Sequence, residues 1–302
     1  MQQFPSAHNL DASQAGVVSL GDLTINRMAF GTMRLPGPNV WGDPANPDEA
    51  RQVLRRAVSL GVNYVDTAAY YGPLVSDRLI VEALYPYPAG LVIGTKVGGW
   101  RSSDKSWIAE LRPQQLTATV EDSLSRLRLE QLSLVHLRAM AHTDVPFLDS
   151  LGALAELQRA GKIRHIGVSS VTLAQVQAAQ KLVQVASVQN LYNLIDRRDE
   201  ALIDYCTEQG IAFMPYFPLA VGALGRETGP LTMIAQRHRA SPAQVALAWL
   251  LARSPQIALI PGTSAVAHLE ENIAAGAIHL SDDERRELGD SPEISAIPSF
   301  RD

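Results

Sequence analysis

The sequence predicts a single (β/α)8 barrel, the TIM-barrel class of α/β fold, preceded by an N-terminal β-hairpin. Three observations point there. Eight short apolar runs alternate with amphipathic stretches, no long linker or compositional break interrupts the series, and no G-x-G-x-x-G motif follows an early run. The last observation counts against a doubly wound dinucleotide-binding sheet, the main competing arrangement for such alternation. Length alone, 302 residues, would fit one large barrel or two ordinary domains; the unbroken pattern favours one domain spanning 1–302.

The elements follow in order. "MQQFPSAHNLDASQAG" has neither a basic start nor an apolar centre, so residues 1–15 read as a flexible polar lead-in rather than a targeting signal. "VVSLGDLTIN" reads as a hairpin turning at Gly21-Asp22, placed to plug the barrel floor. The strand runs are "RMAFGTM", "NYVDTA", "LVIGTK", "LSLVHLR", "RHIGVSS", "VASVQN", "IAFMPYF" and "IALIPGT". Helical stretches between them include "PDEARQVLRRAVSLG", "SDRLIVEALY", "RPQQLTATVEDSLSRLR", "LDSLGALAELQRAG", "TLAQVQAAQKLV", "DEALIDYCTEQG" and "SPAQVALAWLLARS". Ser76, Thr172 and Ser241 suit helix N-caps, and Gly61, Gly161 and Gly210 suit left-handed C-terminal positions.

Composition narrows the function. The net charge of −5 is mixed along the chain, so no basic tract argues for nucleic acid or a membrane surface as partner. Cys206 is the single cysteine, which excludes an intrachain disulfide and fits a reducing, cytoplasmic setting. No zinc-like spacing of His, Cys and carboxylates occurs, and Ser102-Ser103 have no recognisable base, so neither metal nor serine-hydrolase chemistry is expected.

In a barrel, reacting groups project from the C-terminal ends of strands. Asp66, Lys96 and Arg138 end three of the runs, and Tyr71 follows Asp66 in "DTAAYYG". An ammonium beside a phenol stabilises the phenolate and makes the Tyr a better proton donor, while Asp66 can hold Lys96 charged. Such a set can protonate a carbonyl oxygen as a hydride reaches carbon. No residue here can deliver the hydride, which implies a nicotinamide.

"DTAAYYG", "TKVG", "RHIGVSS", "SVQNLYN", "MPYFPL" and "IPGTSAVAHLEEN", in that order across nearly the whole chain, resemble the aldo-keto reductase superfamily. The resemblance implies NADP(H)-dependent reduction of a small aldehyde or ketone, with Asp66, Tyr71 and Lys96 matching three of four catalytic positions. The family's fourth, a His, stands five residues after the Asp that begins an Asp-Leu pair, and that pair is Ser133-Leu134 here, which places Arg138 at its position. His136, two residues earlier on the same strand face, reads as a hydrogen-bonded interior residue. With "YGPLVSDRLIVEALYPY", this departure is similar to a bacterial branch that includes pyridoxal reductases.

The resemblance also implies cofactor contacts. Gly31, Thr32, Met33 and Asp66 would be among them. Ser169, Ser170 and Gln189 would hold the carboxamide, Ser170 standing where the family has Asn. Tyr216 would stack on the nicotinamide, and Phe217, Pro218, Leu219 and Gly222 would line the pyrophosphate. Pro261, Gly262, Thr263, Ser264 and His268 would meet the adenosine phosphate, and Glu271 and Asn272 the adenine. Gly262 and His268 replace Lys and Arg of many members, so NADPH is expected with NADH left open. Substrate walls are expected from Met33, Trp41, Trp100, Met140 and the tail 295–302. Two rivals remain at this level: a Schiff-base enzyme using Lys96, as in aldolases, and a non-catalytic nicotinamide sensor.

Overall fold

The computed structural model describes residues 10–141, 143–225, 229–295 and 297. The expected runs become a parallel sheet of β3 (Phe30–Gly31), β4 (Tyr64–Asp66), β5 (Val92–Val97), β8 (Leu132–Arg138), β9 (Ile163–Ser169), β10 (Val185–Gln189) and β11 (Ala212–Phe213), paired in that order. The eighth run closes the barrel through isolated parallel bridges, Leu259 to Met28 and Ile257 to Phe213. Backbone bonds from Ala29 to Leu259, Leu259 to Arg27 and Ala258 to Phe213 complete that seam. The closure is tight at the mouth. A β-carbon at Gly31 would lie 2.4 Å from the Ile260 carbonyl oxygen, and one at Gly262 would lie 2.6 Å from the Gly31 carbonyl oxygen.

A hairpin of β1 (Val17–Leu20) and β2 (Leu23–Asn26) turns at Gly21-Asp22 as expected. Its Leu20 and Ile25 are buried with Tyr64, Leu134, Ala212 and Ala258 in the barrel interior, so burying the hairpin's alternating apolar face plugs the floor. The lead-in ends earlier than residue 15. Ala12–Ala15 forms a 3-10 turn whose two alanines are buried, and Ala12 N–H donates to the Leu60 carbonyl. Residues 1–9 lie outside the described residues.

The outer helices α1 (Pro47–Ser59), α2 (Val75–Leu84), α3 (Pro113–Leu127), α4 (Phe147–Arg159), α5 (Leu173–Ala179) and α6 (Glu200–Gln209) each follow a strand or its loop. Thr172 caps α5, and Ser241 caps α8 (Pro242–Arg253), each in a reciprocal box with a Gln. Gly61, Gly161 and Gly210 take the expected positive φ. Ser76 is not a cap. The chain turns left-handed at Leu74, α2 starts one residue before Ser76, and the buried Ser76 hydroxyl donates to the Thr32 carbonyl.

Three pieces went unread in the sequence. A second hairpin, β6 (Gly99–Arg101) with β7 (Trp107–Ala109), extends from the C-terminal end of β5. Helix α7 (Gly229–Arg237) precedes α8, and α9 (Val266–Ala274) follows the eighth run, with α10 (Asp282–Gly289) and α11 (Pro292–Ser295) beyond.

Candidate active site at the barrel mouth

β4 and β5 pair so that Asp66 stands opposite Gly94, two residues before Lys96, and both charged side chains reach the same end of the barrel. Lys96 Nζ donates to Asp66 Oδ2 at 2.5 Å and to the Thr67 carbonyl at 2.9 Å, with both side chains 3% exposed. The second carboxylate oxygen accepts from Gln189 Nε2 at 3.0 Å and from the Tyr64 hydroxyl at 3.3 Å. Asp66 is thus saturated by donors from three strands. Burial alone would depress the Lys96 ammonium, yet Asp66 and the nearby phenols raise it above the ordinary lysine value.

Lys96 Nζ lies 4.9 Å from the centre of the Tyr71 ring. Burial pushes the Tyr71 phenol above its ordinary value, and the Lys96 charge acts in the opposite direction. The expectation that Lys96 makes this phenol easier to ionise survives as one side of a contest in which burial outweighs the ammonium. Tyr70 packs edge-on to Tyr71, centroids 5.2 Å apart, and stands in the cavity wall.

β8 separates its two polar residues by depth. His136 is fully buried opposite Lys96 in register, with Nε2 2.8 Å from the Ser187 hydroxyl, and it does not reach the cavity. Burial lowers it to about 4, which keeps it neutral. Arg138, paired with Ser169, reaches the cavity. The ordering expected from the sequence, Arg138 at the mouth and His136 beneath, is what the strand presents.

One cavity of about 290 Å³ gathers Asp66, Tyr71, Lys96 and Arg138 with Gly31, Met33, Ser169, Ser170, Gln189, Tyr216, Phe217, Pro218, Leu219, Gly222, Pro261 and Gly262. Thr32 is not in the wall. It is buried behind it, its hydroxyl donating to the Asp66 carbonyl at 3.1 Å. Thr263, Ser264, His268, Glu271 and Asn272 also lie outside the cavity, on and before α9, with Ser264 and His268 exposed. Glu271 is engaged by the Ser241 hydroxyl and its carbonyl by Gln244. Ser170 adopts a left-handed φ of 58°, a conformation Asn tolerates better than Ser, which gives a backbone reason for Asn at such a position.

Of the expected substrate walls only Met33 lines the cavity. Trp41, Trp100 and Met140 do not, and the tail lies outside the described residues apart from Ser295, whose backbone ends α11, and Ile297. Trp107, Arg34, Val221 and Ile260 line it instead. Trp107 comes from the unread hairpin. Arg34 was legible as a cation just past a strand end, and its Cγ lies 3.5 Å from where a Gly262 side chain would start.

The wall fits a dinucleotide in several ways. The 217–222 segment holds Phe217, Ala220, Val221 and Gly222 at positive φ, so a run of tight turns borders one edge of the cavity. The glycine pair lets the backbones at the seam approach closely along the cavity edge, and Tyr216 lines the same cavity as Ser169 and Gln189. A barrel with a buried Asp–Lys pair against a Tyr at its mouth defines a class of carbonyl oxidoreductases. The chain belongs to the Aldo/keto reductase family, whose pattern matches residues 27–291. It is 46% identical over 270 residues to the pyridoxine 4-dehydrogenase of Escherichia coli, covering 88% of this chain and 94% of that one. Among solved structures, a thermostable aldo-keto reductase in complex with the inhibitor epalrestat superposes with a TM-score of 0.80 at 30% identity, over 90% of this chain and 97% of that one. An aldo-keto reductase of Klebsiella pneumoniae in complex with NADPH gives 0.78 at 25% identity, over 92% and 94%.

Proposed function

We propose that this protein reduces an aldehyde or ketone to an alcohol with NADPH, as one barrel domain, and that pyridoxal is among its substrates. The observation that carries the reading is the buried Asp66–Lys96 pair set against Tyr71 inside the same cavity as Tyr216, Ser169 and Gln189. Pyridoxal enters from the likeness to pyridoxine 4-dehydrogenase, and NADPH from the family and from the Klebsiella neighbour.

When bound, the nicotinamide supplies the hydride. Tyr216, Ser169, Ser170 and Gln189 would hold its ring, residues 217–222 the pyrophosphate, and Pro261, Gly262, Ser264, His268, Glu271 and Asn272 the adenosine end. Gly31 and Met33 would border the cofactor, with Thr32 behind them holding the Asp66 backbone. Tyr71 gives the carbonyl oxygen its proton. Lys96, held charged by Asp66, stabilises the phenolate left behind. Arg138 has no proton to release near neutral pH, so it polarises the carbonyl and steadies developing negative charge.

The Schiff-base alternative requires a neutral amine. Lys96 is kept protonated by Asp66, which opposes nucleophilic attack. A sensor would not need the buried triad. We also assign the protein to the cytoplasm, on the lone Cys206, whose thiol is buried and pushed up to about 12. Among the described residues, no helix is long and apolar enough to cross a membrane. The test is purified protein with NADPH and an aldehyde panel beginning with pyridoxal, followed by NADPH absorbance. Absence of turnover across the panel would refute the reading.

A further inference from the structure

The β6–β7 hairpin rises from the strand end that carries Lys96 and returns Trp107 to the cavity wall, where its ring meets Tyr70 with centroids 5.0 Å apart. Cations are interleaved with the indoles there. Arg138 Cζ lies 4.1 Å from the Trp107 ring centre, Arg101 Cζ lies 5.3 Å from Trp107 and 5.7 Å from Trp41, and Lys105 Nζ lies 5.8 Å from Trp41. Arg101 Nε donates to the Lys105 carbonyl at 2.9 Å, which fixes the guanidinium across the hairpin.

Nearby carboxylates make no ion pair with this group. Asp104, on the same hairpin, stays charged but is held by Ser102 and Ser106 rather than by Arg101 or Lys105. Asp43 pairs with Arg78, and Asp144 with Arg112. Glu110 sits at the hairpin base, raised above the usual carboxylate range by burial alone. Among the described residues Arg101, Lys105 and Arg138 form no ion pair with a carboxylate, and the buried Arg138 Nε has no hydrogen-bond partner. A protein of net charge −5 therefore places three cations without a carboxylate ion pair around Trp107, Arg138 in the cavity wall and Arg101 and Lys105 on the hairpin outside it. Aromatic side chains in the wall favour an aromatic ligand, and the nearby positive charge favours an anionic one.

We propose that the Trp107 side of the cavity is an anion-recognition subsite, and that the preferred substrates are aromatic aldehydes or ketones bearing a carboxylate or phosphate on the ring edge away from the carbonyl. The inference rests on the reductase reading and adds the chemistry of the group at the far end of the substrate. Arg101 and Lys105 take the anion, Trp107 and Tyr70 pack on the ring, and Arg138 stands between anion and carbonyl.

The test compares 4-formylbenzoate, 4-formylphenyl phosphate and methyl 4-formylbenzoate as substrates with NADPH. The ester matches the carboxylate in shape but carries no charge. The expected result is a kcat/KM about tenfold higher for the anions than for the ester, expressed mainly in KM, and shrinking as salt screens the rim. The two anions separate a carboxylate site from a phosphate site by which is preferred. In Arg101→Gln/Lys105→Gln the anion-to-ester ratio should fall to about twofold, and because the ratio is taken within one protein, partial unfolding cancels. Turnover of the ester at the same kcat/KM as the anions would overturn the subsite while leaving the reductase reading intact. No turnover of any of the three would remove the reductase reading and this inference with it.

Discussion

Replacing Lys96 by Met removes one partner of an ion pair whose side chains are each 3% exposed and whose charged atoms are 2.5 Å apart. Asp66 would keep its bonds from Gln189 and Tyr64 but would become a buried carboxylate with no neutralising charge. Breaking a buried pair from one side costs about 3–5 kcal/mol. Asp66→Asn, which strands the ammonium instead, should cost a similar amount. The double variant Asp66→Asn/Lys96→Met strands neither charge and should be destabilised by far less than the sum of the two, with a coupling of about 2–3 kcal/mol or more. Activity should behave differently. With Lys96 gone the main group opposing the burial that raises the Tyr71 phenol is lost, so turnover should fall about 10²-fold and the pH at which the donor titrates should rise, in the single and the double variant alike. Urea unfolding gives the stabilities and NADPH oxidation across pH gives the rates. Additive destabilisation would refute the account of the pair, and recovery of turnover in the double variant would refute the role given to Lys96.

Arg138→Met should lower kcat/KM for pyridoxal more than for a plain aromatic aldehyde, and Arg138→His should restore the plain aldehyde better; equal losses for both would leave Arg138 without a part in substrate choice. His136 has a folded pKa of about 4 against an ordinary 6.5, so the unfolded chain takes up a proton that the fold refuses, and its stabilising contribution is present above pH 6.5 and lost as pH falls toward 4. Between pH 7 and 5 that loss is about 2 kcal/mol, and His136→Gln should flatten it; an unchanged pH slope of unfolding free energy would contradict the assignment. Arg34→Gln should weaken NADPH binding by about three- to tenfold if this exposed cation beside Gly262 meets a cofactor phosphate, and fluorescence titration giving an unchanged Kd would exclude that contact.

The barrel was legible because its strands are buried on both sides and read as continuous apolar runs, while glycines and Thr172 and Ser241 mark the helix ends. The eighth strand was legible as "IALIPGT" although only bridges at Ile257 and Leu259 pair it. Asp66, Lys96 and Arg138 could be placed because strand ends point their last side chains at one mouth. What failed to show was local or long-range in character. Ser76 has cap chemistry, but the left-handed turn at Leu74 that moves the helix start is invisible in "GPLVSD". The β6–β7 hairpin is short and half exposed, with little apolar alternation, so no pattern singles out Trp107, while Trp41, Trp100 and Met140 were expected in the wall. The dominance of burial over Lys96 in setting the Tyr71 phenol depends on packing around the ring, which no spacing of residues encodes.

The central claim is that Tyr71 is the proton donor in a reductase whose cofactor site is otherwise complete. Tyr71→Phe removes only the hydroxyl from a ring packed against Tyr70 and Lys96, so the wall of the cavity should keep its shape. The measurement is made on this variant and the wild type side by side: NADPH affinity by fluorescence titration, and turnover of pyridoxal and a plain aromatic aldehyde. The account predicts an unchanged Kd with kcat lowered by about 10²-fold or more for both substrates. Near-wild-type turnover by Tyr71→Phe would contradict it.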